Sequence, residues 1–474
     1  MFNSSYTRRT SYYLLLIAFC CTSAACKKFT DISAPSGSLV TATVFTNDHT
    51  VQSTLAGMYT TLFNSDGYDF QMYLNDMPSA SADELVDYAP STDTDPFINN
   101  ALTVDNAYVL MFWTDLYQIN YQANAIISGL QGSNGVSTAV RNAAMGQALF
   151  MRAFCHFYLV NLYGDIPLVT TTDAIRNTSL PRTAADSVYQ QIIADLTAAK
   201  SLLPGDYSLS GTTGDRITPN KYAATALLAR AYLYTGDWAN AAANADSVIG
   251  KPALYSLQSS AGIGKVFTKN NSEAIWQMSG SSKGYTLGGQ NYYYAAAYQL
   301  PYLVLSSSLL SAFEPGDLRY TNWVNSYDYD DGTGSITTYY YPYKYKQYQT
   351  NTTAAAEYYT FLRLAEQYLI RAEARAQQNN LSGAAADINI IRTRAGLGNT
   401  AATTQPDLLL AVEQERRVEL FNELGHRWFD LKRTGRANAV LGATKTGWTK
   451  NAALYPIPRG ERNNDVHLTQ NPGY

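Results

Sequence analysis

Three alanine-rich segments of this chain repeat one helical pattern at long intervals. Residues 228–231 (Leu-Ala-Arg-Ala) and 369–372 (Leu-Ile-Arg-Ala) lie 141 residues apart, and each leads through a turn into a second helix. At the same offset Asp246 aligns with Asp387 without a gap. Residues 150–153 (Phe-Met-Arg-Ala) look like a third copy of the first helix. Since small alanines let paired helices approach closely, the pattern predicts stacked helical hairpins.

These hairpins are of the tetratricopeptide type, although the copies do not follow a fixed 34-residue period. Long insertions therefore separate them, and chance similarity between alanine-rich helices is the competing interpretation. Helical apolar spacing also predicts helices over 113–130, 143–162 and 184–203, and Pro219 is expected to open a fourth helix. The expected fold is mainly α: tetratricopeptide-like hairpins form an α-superhelical scaffold, with long loop or short-strand insertions.

The N-terminus reads as a secretory signal that ends at a cysteine. Arg8 and Arg9 precede a short apolar run over 12–19, and small residues at 22–25 lead directly to Cys26. That order is typical of a signal peptide, and the cysteine after small residues resembles a bacterial lipobox. An ordinary secreted protein with a chance cysteine is the alternative.

We therefore expect cleavage before Cys26 and attachment of lipid to it. The predicted organisation has three parts. They are a signal peptide over 1–25, a tether over 26–45, and one domain over 46–474 with halves at 46–215 and 216–474.

Cysteine and charge content exclude several classes of protein. Cys20 and Cys21 leave with the signal and Cys26 carries lipid, so only Cys155 remains free. The mature chain can then form no internal disulfide and no cysteine-based metal site, and its stability must come from a core. The net charge is −4 and no basic cluster is present, which argues against nucleic acid as a partner.

Tyrosine is the compositional oddity: the chain has 38 Tyr against 16 Phe and 6 Trp. Many of these residues fall in three polar or glycine-rich insertions, at 83–102, 279–299 and 320–348. The insertions are predicted to be long loops or short hairpins, and such segments in a compact domain are usually functional. A tyrosine ring offers an apolar face with a polar tip, which suits contact with sugars or peptides.

No catalytic constellation is evident. The four histidines stand in no nucleophile context, and Gly-x-Ser-x-Gly and His-Glu-x-x-His are both absent. We therefore expect no enzyme activity and no cofactor. Asp328, Asp330 and Asp331 could bind a structural calcium ion, but the spacing of a twelve-residue calcium loop is missing.

The C-terminal segment 415–433, Glu-Arg-Arg-Val-Glu-Leu-Phe-Asn-Glu-Leu-Gly-His-Arg-Trp-Phe-Asp-Leu-Lys-Arg, closely resembles the signature helix of the SusD/RagB family of Bacteroidetes outer-membrane lipoproteins. The segments at 113–124, 152–168 and 454–474 are similar to further family segments, in the family order. The resemblance covers essentially the whole mature chain. Physically, the apolar side chains of 415–433 read as a buried helical stripe, so packing is the expected role there.

The resemblance implies a surface-exposed, lipid-anchored binding protein. Such proteins form a lid on a SusC-like, TonB-dependent outer-membrane channel and pass it a glycan or a peptide, without covalent chemistry. Family binding sites are arcs of aromatic side chains on loops between hairpins, which here correspond to the three insertions. The candidate stacking residues are Tyr88, Phe97, Tyr292, Tyr293, Trp323 and Tyr327. The candidate hydrogen-bonding residues are Asp83, Gln290 and Asn291.

Three other readings stay open at this point. The same lid could carry peptides in place of glycans. A ligand-free helical-repeat adaptor would lack an aromatic cleft in its loops. A surface glycosidase would need two carboxyl groups about 5–10 Å apart across a groove, and acidic pairs such as 83–84 or 330–331 are the material for one.

Overall fold

The structure of this protein is a computed structural model. It describes residues 44–63, 70–87, 91–279, 285–298, 302–330, 332–347 and 357–474. Residues 45–474 form one compact unit.

The helices of the N-terminal half are α1 (Asp48–Phe63), α2 (Phe70–Ser81), α3 (Asp95–Ile98), α4 (Ala107–Gln131), α5 (Thr138–Tyr163), α6 (Ala174–Asn177), α7 (Ala185–Leu202), α8 (Lys221–Tyr234) and α9 (Trp238–Ile249). The later helices are α10 (Leu287–Tyr298), α11 (Ser307–Leu310), α12 (Leu318–Trp323), α13 (Leu364–Gln377), α14 (Leu381–Arg394), α15 (Gln405–Glu419), α16 (His426–Arg433), α17 (Ala437–Thr444) and α18 (Arg459–Asn464). Short 3-10 turns lie at Ser208–Thr213, Ser260–Lys265 and Lys450–Ala453.

The strands are short and pair only in twos within the described residues. They are β1 (Leu85–Asp87), β2 (Ala274–Ser279), β3 (Leu303–Leu305), β4 (Val324–Asp330), β5 (Ile336–Pro342) and β6 (Tyr358–Arg363). The antiparallel pairs are β1 with β3, β2 with β6, and β4 with β5. The mainly helical fold that the sequence predicts is confirmed.

Polar caps fix where the long helices begin. Asn106 caps α4 by accepting hydrogen bonds from the amides of Tyr108 (3.1 Å) and Val109 (3.2 Å). Asn220 caps α8 in the same way, so this helix starts at Lys221, two residues after Pro219. Each cap satisfies backbone donors that the first helical turn leaves unpaired.

The repeat prediction has a physical basis in the packing of α8, α9 and α13. Ala229, Ala241, Ala245 and Ala374 are completely buried and form one cluster between these helices. Close approach of the backbones is possible because none of these side chains extends beyond Cβ. Successive helices from α8 to α9, α13 and α14 pack as neighbours, as a stack of hairpins requires.

The arginine of each repeat copy is buried and paired, but not always to its own hairpin. Arg152 forms a bidentate pair with Asp195 on α7, at 2.6 and 2.8 Å. Arg371 likewise binds Asp387 on α14, at 2.7 and 3.0 Å. Arg230 departs from this pattern and binds Glu366 on α13, at 2.6 and 2.7 Å. The copies that contain Arg152 and Arg371 are therefore each fixed within a hairpin. The copy that contains Arg230 is fixed to the next hairpin instead.

The segment 415–433 is two helices, not the single helix that the sequence suggested. α15 ends at Glu419, and a turn with positive φ at Asn422 (50°), Leu424 (48°) and Gly425 (71°) leads into α16. A Cβ atom on Gly425 would lie 2.8 Å from Cβ of Pro78, so this turn also needs glycine for space. The apolar stripe is buried as expected, with Trp428 fully buried.

One insertion differs from its prediction. Residues 287–298 form α10 rather than a loop or a hairpin. Thr286 starts this helix, since its Oγ1 accepts a hydrogen bond from the amide of Gly289 at 2.9 Å. The alanines at 295–297 favour helix strongly enough to outweigh the two glycines in the first turn.

Candidate binding surface

The three insertions meet at one side of the helical scaffold. β1 of the first pairs with β3, which follows the second, through Leu85 with Leu305 and Asp87 with Leu303. β3 also packs against β5 of the third insertion. We call the described parts of these insertions the insertion surface. The junction beneath it leaves a cavity of about 20 Å³, lined by Met72, Tyr292 and Pro342 among others, which is about the space of one water molecule.

Asp76 of α2 holds two tyrosines at this junction. Its Oδ1 accepts a hydrogen bond from the Tyr292 hydroxyl at 2.9 Å, and its Oδ2 accepts one from the Tyr302 hydroxyl. The two rings are stacked, with centroids 6.5 Å apart and 19° between their planes. Burial raises the pKa of both hydroxyls well above 10, and the Asp76 charge raises it further, so both remain donors. This arrangement fixes the orientation of two aromatic faces.

A second aromatic group lies on the neighbouring turn of α2. The rings of Tyr73 and Tyr108 are 4.6 Å apart, and Phe97 lies 6.2 Å from Tyr108. Tyr73 and Tyr108 are half-buried, whereas Phe97 is completely buried. Phe97 therefore packs against Tyr108 from the buried side of the group.

The β4–β5 hairpin carries the densest run of tyrosines. Tyr327 lies directly across from Tyr339, and Asn325 from Tyr341. Because side chains alternate along a strand, these residues and Tyr329 share one face of the hairpin. The rings of Tyr329 and Tyr339 are 6.5 Å apart in an edge-to-face arrangement, and both are half-buried.

Buried polar bonds anchor this surface to the signature turn. The amide of Leu424 donates to Asn75 at 2.8 Å, and the amide of Asn422 donates to Glu84 at 3.1 Å. Burial raises the pKa of Glu84 to about 7. The signature segment thus supports the surface from behind and contributes no exposed ring to it.

No metal site is evident in the part of the chain that the structure describes, since no three His, Cys, Asp or Glu side chains gather there. Asp331 of the calcium hypothesis lies outside the described residues. Among the described helices, none is both long and apolar enough to cross a membrane.

Two sequence profiles match most of the chain. Residues 28–233 match the profile described as "Starch-binding associating with outer membrane", and residues 282–474 match the profile of the SusD family. The chain belongs to the SusD/RagB family.

Relatives within the SusD/RagB family cover nearly the full length. The chain is 28% identical to SusD-like protein P2 of Formosa agariphila, over 93% of this chain and 95% of the relative. A SusD superfamily protein of Bacteroides vulgatus has a similar structure, with a TM-score of 0.76 and 22% identity, covering 91% of this chain and 100% of that one. A laminarin-binding SusD-like protein has a TM-score of 0.75 and 24% identity, covering 91% and 100%. The two structures establish the shared fold.

Two of the predicted stacking residues are core side chains, which corrects the prediction for them. Trp323 and Phe97 are completely buried, and the indole Nε1 of Trp323 donates to the Ile263 carbonyl at 3.0 Å. Neither ring has a face that a ligand could cover. Both rings belong to polar insertions, but a large aromatic ring can also anchor an insertion to the core beneath it.

Asp83 is likewise structural in this SusD-like chain. Its carboxylate binds Arg427 at 2.8 Å and Arg417 at 2.7 Å, and the side chain is buried. Burial acts to raise the pKa of Asp83, but the two arginines outweigh it and hold the pKa below its usual value. Asp83 therefore pins the first insertion to α15 and α16, which corrects its predicted role as a sugar ligand.

The remaining predicted residues differ in exposure. Tyr327 is half-buried on the hairpin, whereas Tyr292 is buried with about 4% of its surface accessible, which corrects its predicted role as a stacking residue. Gln290 and Asn291 are half-buried on α10, and the Asn291 amide contacts the Met72 sulfur at 2.8 Å. Tyr88 and the side chain of Tyr293 lie outside the described residues, so their roles stay predictions, as does lipidation of Cys26.

Sequence reasoning missed Tyr73, Tyr108 and Tyr302. Tyr73 and Tyr108 belong to helices outside the three insertions, and only the fold brings them next to Phe97. One signal in the sequence could have pointed to Tyr73. It lies three residues before Asp76, and residues three apart share a helix face.

Proposed function

We propose that this protein captures a glycan at the outer cell surface and delivers it to a SusC-like, TonB-dependent transporter. The observation that carries the proposal is the set of half-buried tyrosines on the insertion surface and on the segments next to it. They are Tyr73, Tyr108, Tyr302, Tyr327, Tyr329 and Tyr339. Support comes from the matching profile, whose description names starch binding and the outer membrane, and from the laminarin-binding SusD-like protein of similar fold.

The tyrosines suit glycans for a physical reason. An aromatic face covers the apolar face of a pyranose ring, and a hydroxyl or amide nearby bonds the sugar hydroxyls. Here the half-buried Tyr302 is held by Asp76 and stacks on the buried Tyr292, so its orientation is already fixed before a ligand arrives. Preorganisation of this kind reduces the entropy lost on binding.

Binding without covalent chemistry fits the acidic residues of the insertions. Asp83 is neutralised by two arginines, and Glu84 is fully buried with a pKa near 7. Asp87 and Asp95 are in direct contact, and a glycosidase needs its two carboxyl groups about 5 Å or more apart. These pairs therefore support a binding protein over a surface glycosidase.

The transfer step rests on the predicted anchor. A lipid on Cys26 would keep the domain, and any ligand it has captured, at high local concentration beside a channel. Mass spectrometry of the mature N-terminus should show an acylated Cys26, and a free cysteine there would contradict the tethered model.

The binding proposal is tested by removing two half-buried rings from the hairpin. The double variant Tyr327→Ala/Tyr329→Ala should bind the preferred oligosaccharide at least tenfold more weakly than the wild type, measured by titration calorimetry after a glycan and peptide array has identified the ligand. Loss of one stacked ring costs on the order of 1 kcal/mol, so two rings correspond to a factor of about 10 to 30.

Tyr121→Ala is the matched control. Tyr121 is 52% exposed and lies on α4, about 20 Å along the helix from Tyr108. Its removal should leave affinity within twofold. If the array showed binding of peptides but of no glycan, the ligand class would be peptides instead of glycans. Binding of neither would overturn the proposal.

A further inference from the structure

A cavity of about 680 Å³ lies in the helical scaffold, outside the three insertions. Its described lining residues belong to the α8–α9 turn, α13, α15, α16 and the turn that follows α16. We call it the scaffold cavity. Sites for small ligands usually measure about 300–1,000 Å³, so this space is large enough for a ligand of one or two rings.

The outer wall of the scaffold cavity is apolar. Trp238 and Leu409 are half-buried there, and Leu410 is 51% exposed. Part of the Trp238 side chain packs against the buried alanine cluster of α8, α9 and α13, which holds the indole in place. The outer wall therefore offers a fixed aromatic ring and two leucines to the apolar face of a ligand.

The inner wall is charged, but its charges balance. The charged lining residues form three ion pairs, Arg416–Asp430, Arg433–Glu373 and Arg436–Glu413, at 2.6, 2.5 and 3.0 Å. A charged ligand would add an uncompensated charge to a largely desolvated wall, and such a charge is costly. The inner wall thus favours an uncharged ligand.

Two buried polar atoms of the lining residues lack a hydrogen-bond partner among the described residues. They are Nη1 of Arg416 and the hydroxyl of Tyr234. Arg416 is only 3% exposed, and its Nε binds Asp430 while its Nη2 lies 3.5 Å from Nδ1 of His426. Burial raises the pKa of Tyr234 well above 10, so its hydroxyl keeps its proton. Buried polar groups in native proteins are nearly always paired, so these two donors point to a missing acceptor.

An uncharged sugar meets these requirements together. Its hydroxyl oxygens accept hydrogen bonds from a guanidinium or a phenol, and its hydroxyl hydrogens donate to carboxylates that retain free lone pairs. The apolar face of a pyranose covers an aromatic ring such as that of Trp238. The carboxylate of a peptide C-terminus would also accept from Arg416, but it would lie beside the like charges of Asp430 and Glu373.

We infer that the scaffold cavity is a second binding site, which takes one or two units of a neutral sugar. Arg416 and Tyr234 are its hydrogen-bonding residues, reached by a small adjustment of the wall side chains, and Trp238 is its stacking residue. The site lies on helices outside the insertions, so it does not depend on which ligand the insertion surface captures. A long glycan that spans both sites would be held at two points, which raises the apparent affinity.

The test uses small ligands on the purified mature chain. Saturation-transfer NMR with a panel of neutral monosaccharides and disaccharides should find at least one that binds with a Kd of about 1–10 mM. Tyr234→Phe should weaken that ligand at least threefold, since one hydrogen bond is lost. Without ligand, the urea unfolding midpoint of this variant should equal or exceed that of the wild type, because the hydroxyl has no protein partner to lose.

Tyr232→Phe is the matched control. It removes a hydroxyl from the same helix, and that hydroxyl interacts with Thr197 of α7. Its sugar affinity should equal that of the wild type.

Four outcomes would overturn the inference. The first is that no sugar of the panel binds, which leaves capture of longer glycans by the insertion surface to the array. The second is unchanged sugar binding in Tyr234→Phe with a lower unfolding midpoint, since the hydroxyl would then serve the fold. The third is a sugar signal that Tyr327→Ala/Tyr329→Ala abolishes and Tyr234→Phe leaves intact, which would belong to the insertion surface. The fourth is binding of N-acetyl dipeptide amides, weakened by Tyr234→Phe, in place of any sugar.

Discussion

The scaffold and the insertion surface differ in where their charged side chains lie. In the scaffold, many charged side chains are buried and paired: Arg363 binds Glu419 at 2.5 Å, Glu423 at 2.8 Å and Glu273 at 3.1 Å, with all four side chains nearly inaccessible. In the insertions the exposed charges are acidic, while tyrosines are half-buried. The scaffold therefore uses ion pairs to fix its geometry, and the surface keeps aromatic rings and uncharged donors for contact.

The two regions are joined by the scaffold's own ion pairs. Lys344 leaves the hairpin and ends beside Glu423, inside the same network as Arg363. Its ammonium also lies 4.0 Å from the centroid of the Phe421 ring and 5.0 Å from that of Trp323. The buried pair of Lys344 with Glu423 thus ties the end of the tyrosine hairpin to the scaffold network.

The largest effect should come from the centre of the network. Burial would raise the pKa of Glu419, but Arg394, Arg363 and Arg319 together hold it well below its ordinary value. Glu419→Ala leaves three buried guanidinium groups short of a partner, which should lower the free energy of unfolding by about 3–5 kcal/mol. Urea unfolding monitored by circular dichroism measures this change.

Asp105→Asn is the control for that variant, because it breaks an exposed pair with Arg459. Its unfolding midpoint should match the wild type. If Glu419→Ala also matched the wild type, the buried network would not be what fixes the scaffold.

A smaller effect on stability is expected at the two aspartates that the repeat aligns, and its size should differ between them. Asp387 is buried and binds Arg371 and Arg375, whereas the side chain of Asp246 is 65% exposed and binds Arg371 from outside. Asp387→Asn should lower the free energy of unfolding by about 2–3 kcal/mol, since it removes charge from a desolvated site. Asp246→Asn should cost less than about 1 kcal/mol. Equal costs for the two variants, measured by urea unfolding, would show that the aligned positions are also energetically equivalent.

The next prediction concerns Glu84, which lies where the first insertion meets the scaffold. Burial raises the pKa of Glu84 from 4.5 to about 7. The folded protein then holds a proton that the unfolded chain releases near pH 4.5. The stability that this group contributes is full below pH 4.5 and is lost as pH rises through about 7.

Glu84→Gln should therefore gain roughly 1–3 kcal/mol over the wild type at pH 8 and little at pH 5, measured as the difference between urea unfolding curves at the two pH values. Gln is isosteric and keeps an acceptor for the Asn422 amide. A variant that is less stable than the wild type at pH 8 would mean that Glu84 is ionised and satisfied in the folded state.

The fold was largely predictable because it depends on local patterns. Helical periodicity and the Arg-Ala motifs marked the hairpins, and their caps and alanine contacts follow from the same residues. The site was predictable only in outline. Which tyrosine is exposed depends on long-range packing, and the sequence alone does not show that Trp323 inserts between Phe267 and the Ile263 carbonyl.

The turn in the signature segment shows the same limit. Nothing in Leu-Phe-Asn-Glu-Leu-Gly opposes a helix strongly, apart from the glycine. The helix stops because Asn75 and Glu84, more than 300 residues away in sequence, bind the amides of Leu424 and Asn422. The glutamates of this segment bind arginines that lie far away in sequence, as Glu415 does with Arg319 at 2.8 Å.

The smallest effect on stability is expected at the tyrosines of the hairpin. Tyr327→Ala/Tyr329→Ala removes two half-buried rings from a two-stranded element that the scaffold holds through Lys344, so the free energy of unfolding should fall by less than about 1 kcal/mol. Trp323→Ala, only four residues before Tyr327, removes a fully buried ring and should cost about 3–5 kcal/mol. The same unfolding assay applied to both variants would sharpen the division between scaffold and surface. A large loss of unfolding free energy in the double tyrosine variant would show that the hairpin belongs to the structural core. Any weakening of ligand binding by that variant would then have to be attributed to a folding defect.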